Sequence, residues 1–298
     1  MSSPTPPGRG GLLSPNVMHG VLWALLAGML YSLVPVGVRL VSDRLPAIEI
    51  VFLRNFFGFL LFLAIYAWRG GYSLRTRRFG FHLQRNIFNF IGMWLWFAAL
   101  AMMPLGKAVA LHFTEPLWVA VLAILFLGER PGKYRWGAIA VGFCGALIIL
   151  RPGAIPIGLA ALMVLGSAFC YATVVIYSRS LARTDSPATT TFYYQGMLMV
   201  FAFFPMLWVW VMPGWQDVPG LLLLTTVGTA APYCIIRAFK YAEASVISPL
   251  SFMRLPVTAI FAYLIFSEAT GPWVWVGAVV IFTAAYMMTR GEIRAAAK

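Results

Sequence analysis

Glu115 and Arg254 each lie near the centre of a long apolar stretch, in a chain of 298 residues of which only 10% are charged. A charge at the middle of a bilayer costs about 2.5–3.5 kcal/mol on insertion scales, so each needs a partner or a purpose. A carboxylate and a guanidinium at that depth can offset one another as a structural ion pair. They can also bind the amine and acid of a polar solute, with the carboxylate free to carry a proton instead. The residues alone leave both readings open. His112 precedes Glu115 by three positions and Pro116 by four, so all three share one helix face. Its near-neutral titration suits a proton relay, and equally a plain hydrogen bond to a neighbouring helix. Pro116 and Pro256 remove helix hydrogen bonds at mid-depth, which bends a helix and can free carbonyls toward a cavity. Arg54, beside Asn55, either snorkels to the interface or points inward, whereas Arg39 ends its stretch as an interfacial anchor. Tyr31, Trp94, Trp96, Trp118, Tyr171, Tyr193 and Tyr194 are candidate ring surfaces for a planar or cationic solute.

The elements that position these side chains must be membrane helices. The chain is 61% hydrophobic, whereas soluble domains carry roughly a quarter charged residues. That excludes a cytosolic enzyme, a disordered chain and a disulfide scaffold. Ten apolar stretches approach the roughly 20 residues that cross the hydrocarbon core. They cover 17–41, 47–68, 86–103, 107–127, 134–150, 157–177, 188–212, 218–239, 244–266 and 272–289. Their solid apolar character, without alternation, makes them helices rather than barrel strands. Residues 1–16, rich in Pro and Gly, read as a disordered cytoplasmic tail, and 291–298 as a second tail. Cys144, Cys170 and Cys234 all fall within spans and read as small buried apolar residues.

Sixteen of the 22 basic residues fall on the side of the termini and four (Arg39, Arg44, Lys107, Arg151) on the other. The positive-inside rule then puts both termini in the cytoplasm of a bacterial-type inner membrane. The net charge of +13 therefore records topology and implies no nucleic-acid partner.

Shifting the chain by 139 residues aligns Ala99–Arg151 with Ala238–Arg290 and superimposes Phe113 on Phe252, Glu129 on Glu268 and Trp136 on Trp275. The same shift places Glu115 on Arg254, and a shift of 141 places Arg54 on Gln195. Each half holds five spans, an odd number, so the two halves enter the membrane from opposite sides. The expected fold is therefore all-α and polytopic, with two inverted five-helix repeats at 17–151 and 157–290, an arrangement recurrent in secondary transporters. Ala138, Gly142 and Ala146 make a small-residue ridge, suited to packing within the chain or to a homodimer face.

The run Phe113-Thr114-Glu115-Pro116-Leu117 to Phe126-Leu127-Gly128-Glu129-Arg130, echoed by Pro249-Leu250-Ser251-Phe252 to Ser267-Glu268, resembles the EamA branch of the drug/metabolite transporter superfamily. The echo departs by one position, since Pro116 aligns with Leu255 and Pro256 follows it. The resemblance implies ten helices, cytoplasmic termini and a central cavity open to one side at a time. It implies cargo among amino acids, nucleoside-like or flavin-like metabolites and drugs, mostly moved outward. The sequence holds no GxxxxGK[ST] phosphate loop, no HExxH and no Cys/His zinc spacing, so no cofactor is expected. The resulting expectation is a secondary carrier exporting amino acids or related metabolites by rocking of its repeats. An uptake carrier for a vitamin- or nucleoside-like solute and a passive channel stand as alternatives, and a membrane enzyme would need clustered acids or histidines that the sequence lacks.

Overall fold

A computed structural model describes residues 15–68, 74–127, 133–151, 158–181, 184–241, 250 and 253–296. It is all-helical over these residues. The helices are α1 (Pro15–Ser42), α2 (Ala47–Trp68), α3 (Phe79–Met102), α4 (Leu105–His112), α5 (Glu115–Leu127), α6 (Lys133–Leu150), α7 (Leu159–Leu181), α8 (Pro187–Met206), α9 (Val218–Tyr241), α10 (Arg254–Phe266) and α11 (Pro272–Ala296). They fill the ten expected spans, because α4 and α5 are two pieces of one. Among the described residues, five stretches meet a strict length and hydropathy criterion for crossing a membrane: Met18–Ser42, Ala47–Trp68, Leu105–Leu122, Leu159–Ser178 and Val218–Ile235. Helices α3 and α8 do not, because His82, Arg85, Asn86 and Asn89 of the one and Thr189 and Gln195 of the other are polar, and all six are buried against other helices.

The helices pair antiparallel across the two halves. In α1 and α9, the Cβ position of Gly220 meets Val41, that of Gly37 meets Leu224, and His19 lies by Tyr241. In α3 and α7, Ser167 donates to the Gly92 carbonyl and Arg85 to Ser178. Phe52 packs on Phe203 and Phe59 on Phe192 between α2 and α8. A two-fold axis in the membrane plane exchanges the first two pairs and maps α2–α8 onto itself, as an inverted repeat requires. The fourth pair, α6–α11, meets through glycines. Cβ atoms built on Gly145 and Gly277 would sit 2.9 and 2.6 Å from each other's carbonyl oxygens. Glycine is needed here because backbone meets backbone. Gly277→Ala is expected to destabilise the fold by about 1–3 kcal/mol through overpacking. Thermal unfolding in detergent measures this, and an unchanged midpoint would mean the helices separate without cost.

The small-residue ridge is also internal. Ala138 and Ala146 are buried, and a Cβ on Gly142 would press on both Leu117 methyl groups at 2.5 Å. Several expected boundaries shift. The span expected over 188–212 ends at Met206, and the following segment folds back through bonds from the Val211 and Gly214 amides to Glu49 and Asp217. Helix α3 starts seven residues early and carries His82 and Arg85. Helix α11 continues through Ala296, where a tail was expected, because the closing Arg-Ala-Ala run favours helix. Cys170 and Cys234 are buried as expected, but Cys144 is exposed. The expected tail over 1–16 lies outside the described residues up to position 14, as do 244–249, 251 and 252 of the ninth span and Glu129.

Candidate functional site

The break between α4 and α5 has a local cause. Pro116 lacks the N–H that would bond the His112 carbonyl, so the helix stops there. The Thr114 amide and hydroxyl both turn back to the Leu111 carbonyl, at 3.0 and 2.8 Å. The new helix then starts at Glu115, with Pro116 in its first turn where a missing N–H is harmless. In the other half α10 starts at Arg254, the equivalent position, with Pro256 in its first turn. Two half-helices of 13 residues each therefore begin at matching places, one headed by an acid and one by a base. Glutamate is favoured at the positive end of a helix dipole and arginine is not.

Around these two heads the fold gathers most of the candidate residues. The Arg254 guanidinium lies over the Tyr31 ring, 4.1 Å from its centroid. It is within electrostatic reach of Glu115 and His112. His112 Nδ1 is 3.8 Å from Glu115 Oε2, and its ring lies 4.5 Å from Trp96 and 5.5 Å from Tyr171. Arg54 points inward: it donates to Tyr194 Oη at 3.1 Å, to Met93 Sδ at 3.3 Å and to the Gly228 carbonyl at 3.4 Å. Tyr31 lies within reach of Arg254, Arg54 and Glu115 together, which ties the groups into one cluster fed by nine of the helices. Glu115 and Arg254 form no direct ion pair. Among the described residues no carboxylate lies within 4.0 Å of either Arg254 or Arg54. The Nε atoms of both arginines and Nε2 of His112 are buried without a hydrogen-bond partner.

Three aromatic candidates pack on other rings. Trp94 is 46% exposed and continues the outward stripe of Ile87 and Ile91, so it faces the surroundings of the bundle, while Trp96, two positions on, faces in. Trp118 packs edge-on to Phe143 and Phe169. Tyr193 stacks on His82 at 4.7 Å.

Two polar clusters that sequence reasoning missed tie the halves together at opposite ends. Arg39 is not an interfacial anchor. It donates to Glu268 Oε1 at 2.7 Å and to the Met103 and Ala101 carbonyls, while the Leu105 amide donates to Glu268 Oε2 at 2.9 Å. Left-handed Ser267 (φ 56°) turns the chain so that Glu268 reaches this corner. At the end holding the termini, Asp185 Oδ2 accepts from Thr76 Oγ1 at 2.6 Å and contacts His82 Nε2 at 2.7 Å. The scarcity of acids was the available signal: of nine in the chain, Glu49, Asp185 and Glu268 each bond a separate element.

Burial raises the Asp185 carboxyl, but hydrogen bonds from Thr76, His82 and Thr184 outweigh it and hold the group below the ordinary aspartate range. A carboxylate depressed in the fold stabilises it above its unfolded value and loses that contribution as pH falls through the folded value. The joint is therefore expected to be complete at neutral pH and to weaken below about pH 4. Thermal stability followed against pH measures it, with Asp185→Asn flattening the acid limb. Identical profiles for the two proteins would contradict the assignment.

Ten membrane helices in two inverted halves, closing on a polar aromatic centre, define a polytopic transporter. The EamA-like transporter family matches the chain twice, over residues 18–151 and 158–290, and the chain belongs to that family. The chain is 33% identical to a riboflavin transporter from Vibrio cholerae, over 93% of this chain and 95% of that protein. It is 28% identical to an S-adenosylmethionine uptake transporter from Rickettsia bellii, over 94% and 96%. A solved structure shares the fold with a TM-score of 0.64 at 15% identity, covering 94% of this chain and 98% of that one. Neither named relative is an amino-acid exporter, so the expectation of amino-acid export gains no support.

Proposed function

We propose that this protein is a secondary carrier of a flavin-like heterocyclic metabolite across a bacterial inner membrane, with both termini cytoplasmic. The observation that carries the reading is the central cluster. Tyr31, Trp96, Tyr171 and Tyr194 offer ring surfaces, and Arg254, Arg54 and His112 offer nitrogens without partners. A flat ring edged with carbonyls and ring nitrogens satisfies both features. The riboflavin transporter named above, similar along nearly its whole length, supports the same cargo. Glu115, its side chain 30% exposed at the head of α5, is the candidate proton or amine site, and His112 is its neighbour.

Transport proceeds by rocking of the two repeats about this centre. The Arg39–Glu268 corner ties the two repeats together at the end away from the termini. The test is saturable uptake of labelled riboflavin into proteoliposomes, with counterflow. Flux that never saturates would favour a channel, and no flux at all would refute the reading. A second reading, S-adenosylmethionine as cargo, draws on the relative with that cargo and on Glu115 as a counter-charge for an ammonium. Competition between the two labelled solutes separates them.

A further inference from the structure

Beside the central cluster, at the joint of α2, α8 and α9, lies a crevice too tight in this conformation to admit a water molecule, lined by Arg54, Asn55, Tyr194, Gln195, Thr225, Gly228 and Thr229. Polar walls at this depth of a membrane bundle are costly unless something satisfies them. Here Arg54, Asn55 and Thr229 are bonded within the bundle, but three atoms of the wall are not. Gln195 is 5% exposed and Thr225 8%, yet Gln195 Oε1 and Thr225 Oγ1 have no hydrogen-bond partner, and neither has Arg54 Nε. Space for the guanidinium is built in, since a Cβ on Gly228 would lie 2.6 Å from Arg54 Nε. The two-fold axis passes here too: Arg54 and Gln195 are equivalent positions of the two repeats and meet in one crevice.

We propose that this crevice, parted as the two repeats rock, is the subsite for the oxygen-rich part of the transported solute, a group that both accepts and donates hydrogen bonds and carries no positive charge. Arg54 supplies donors and needs acceptors; Gln195 Oε1 needs a donor; the Thr225 hydroxyl takes either role. Among the described residues no carboxylate lines the crevice to hold an ammonium. Hydroxyls of a polyol chain, or the imide edge of a heterocycle, fit these demands, and a cationic group does not. The inference rests on the carrier reading above and adds where the solute's polar part sits and what chemistry it has.

The test uses the full chain in proteoliposomes, with riboflavin uptake measured for wild type, Gln195→Leu and Thr225→Val. Both substitutions remove an unsatisfied buried polar atom, so the empty proteins are expected to unfold at the same or higher temperature. Each is expected to raise KM for riboflavin about tenfold, one hydrogen bond's worth. Inhibition by lumiflavin, which keeps the ring and lacks the polyol chain, locates the group. Inhibition unchanged by the substitutions assigns the polyol to the crevice, and inhibition weakened in parallel assigns the ring edge; either supports the subsite. Riboflavin uptake with an unchanged KM in both variants overturns the subsite and leaves the carrier reading standing. A wild type without saturable riboflavin uptake overturns both.

Discussion

Arg254→Gln is expected to lower transport by about 100-fold while leaving the empty protein at least as stable, because a charged hydrogen-bonding group at such a site is worth about 3 kcal/mol to its ligand. The expectation follows from what surrounds the guanidinium. It heads α10, at the positive end of a helix dipole, and rests on the Tyr31 ring 4.1 Å away. Its Nε has no partner, and no carboxylate approaches within 4.0 Å among the described residues. The fold thus leaves this charge largely uncompensated, the opposite of a structural ion pair, whose loss would destabilise the protein by about 3–5 kcal/mol. Glutamine keeps polarity without the charge. The exchange Glu115→Arg with Arg254→Glu sharpens the test. If the two residues serve each other, the exchange restores both folding and transport. If they serve the solute, the exchanged protein folds but does not transport. Thermal stability and initial uptake rate decide, and an Arg254→Gln protein that unfolds early but transports normally would sink the assignment.

Glu268→Gln is expected to open the end of the bundle away from the termini. In the structure this carboxylate is the shared acceptor of a corner made by α1, the α3–α4 link and the α10–α11 link. Arg39 and Glu268 side chains are 15% and 22% exposed, so the pair is partly shielded from water and worth more than a surface ion pair. Neutralising it removes the charge that holds Arg39, and Arg39 remains tied only to the Met103 and Ala101 carbonyls. An effect near 1.4 kcal/mol shifts the closed-to-open ratio about tenfold. Spin labels at exposed positions on either side of the corner, followed by distance measurement, report the two populations. A rise in the long-distance population with a lower kcat and a smaller change in KM is the expected pattern. An unchanged distribution would show that the corner does not hold that end shut.

How much of this was legible beforehand varies by residue. The pairing of Glu115 with Arg254 under one shift was plain in the sequence, and the two half-helices indeed begin at those positions. Direct contact between them was not, since equal depth fixes no distance. Arg54 was ambiguous because a long side chain at a given depth can reach either the interface or the interior. Only the close approach of Gly228 and the hydroxyl of Tyr194 settle its direction. Trp94 and Trp96 illustrate the same limit. Two positions apart on a helix they point to different sides, and apolar residues on all faces hide which side is inward.

The sequence by itself determined the helical spans, their inverted duplication and the family, because apolar length, charge asymmetry and repeated scarce residues are one-dimensional properties read without distances. The tertiary structure alone decided which charges meet. Glu268 lies 229 positions from Arg39, and Asp185 lies 103 from His82. Such pairs form only where antiparallel packing of the two halves brings helix ends together. That geometry is set by close glycine contacts such as Gly145 with Gly277, which an apolar pattern does not encode.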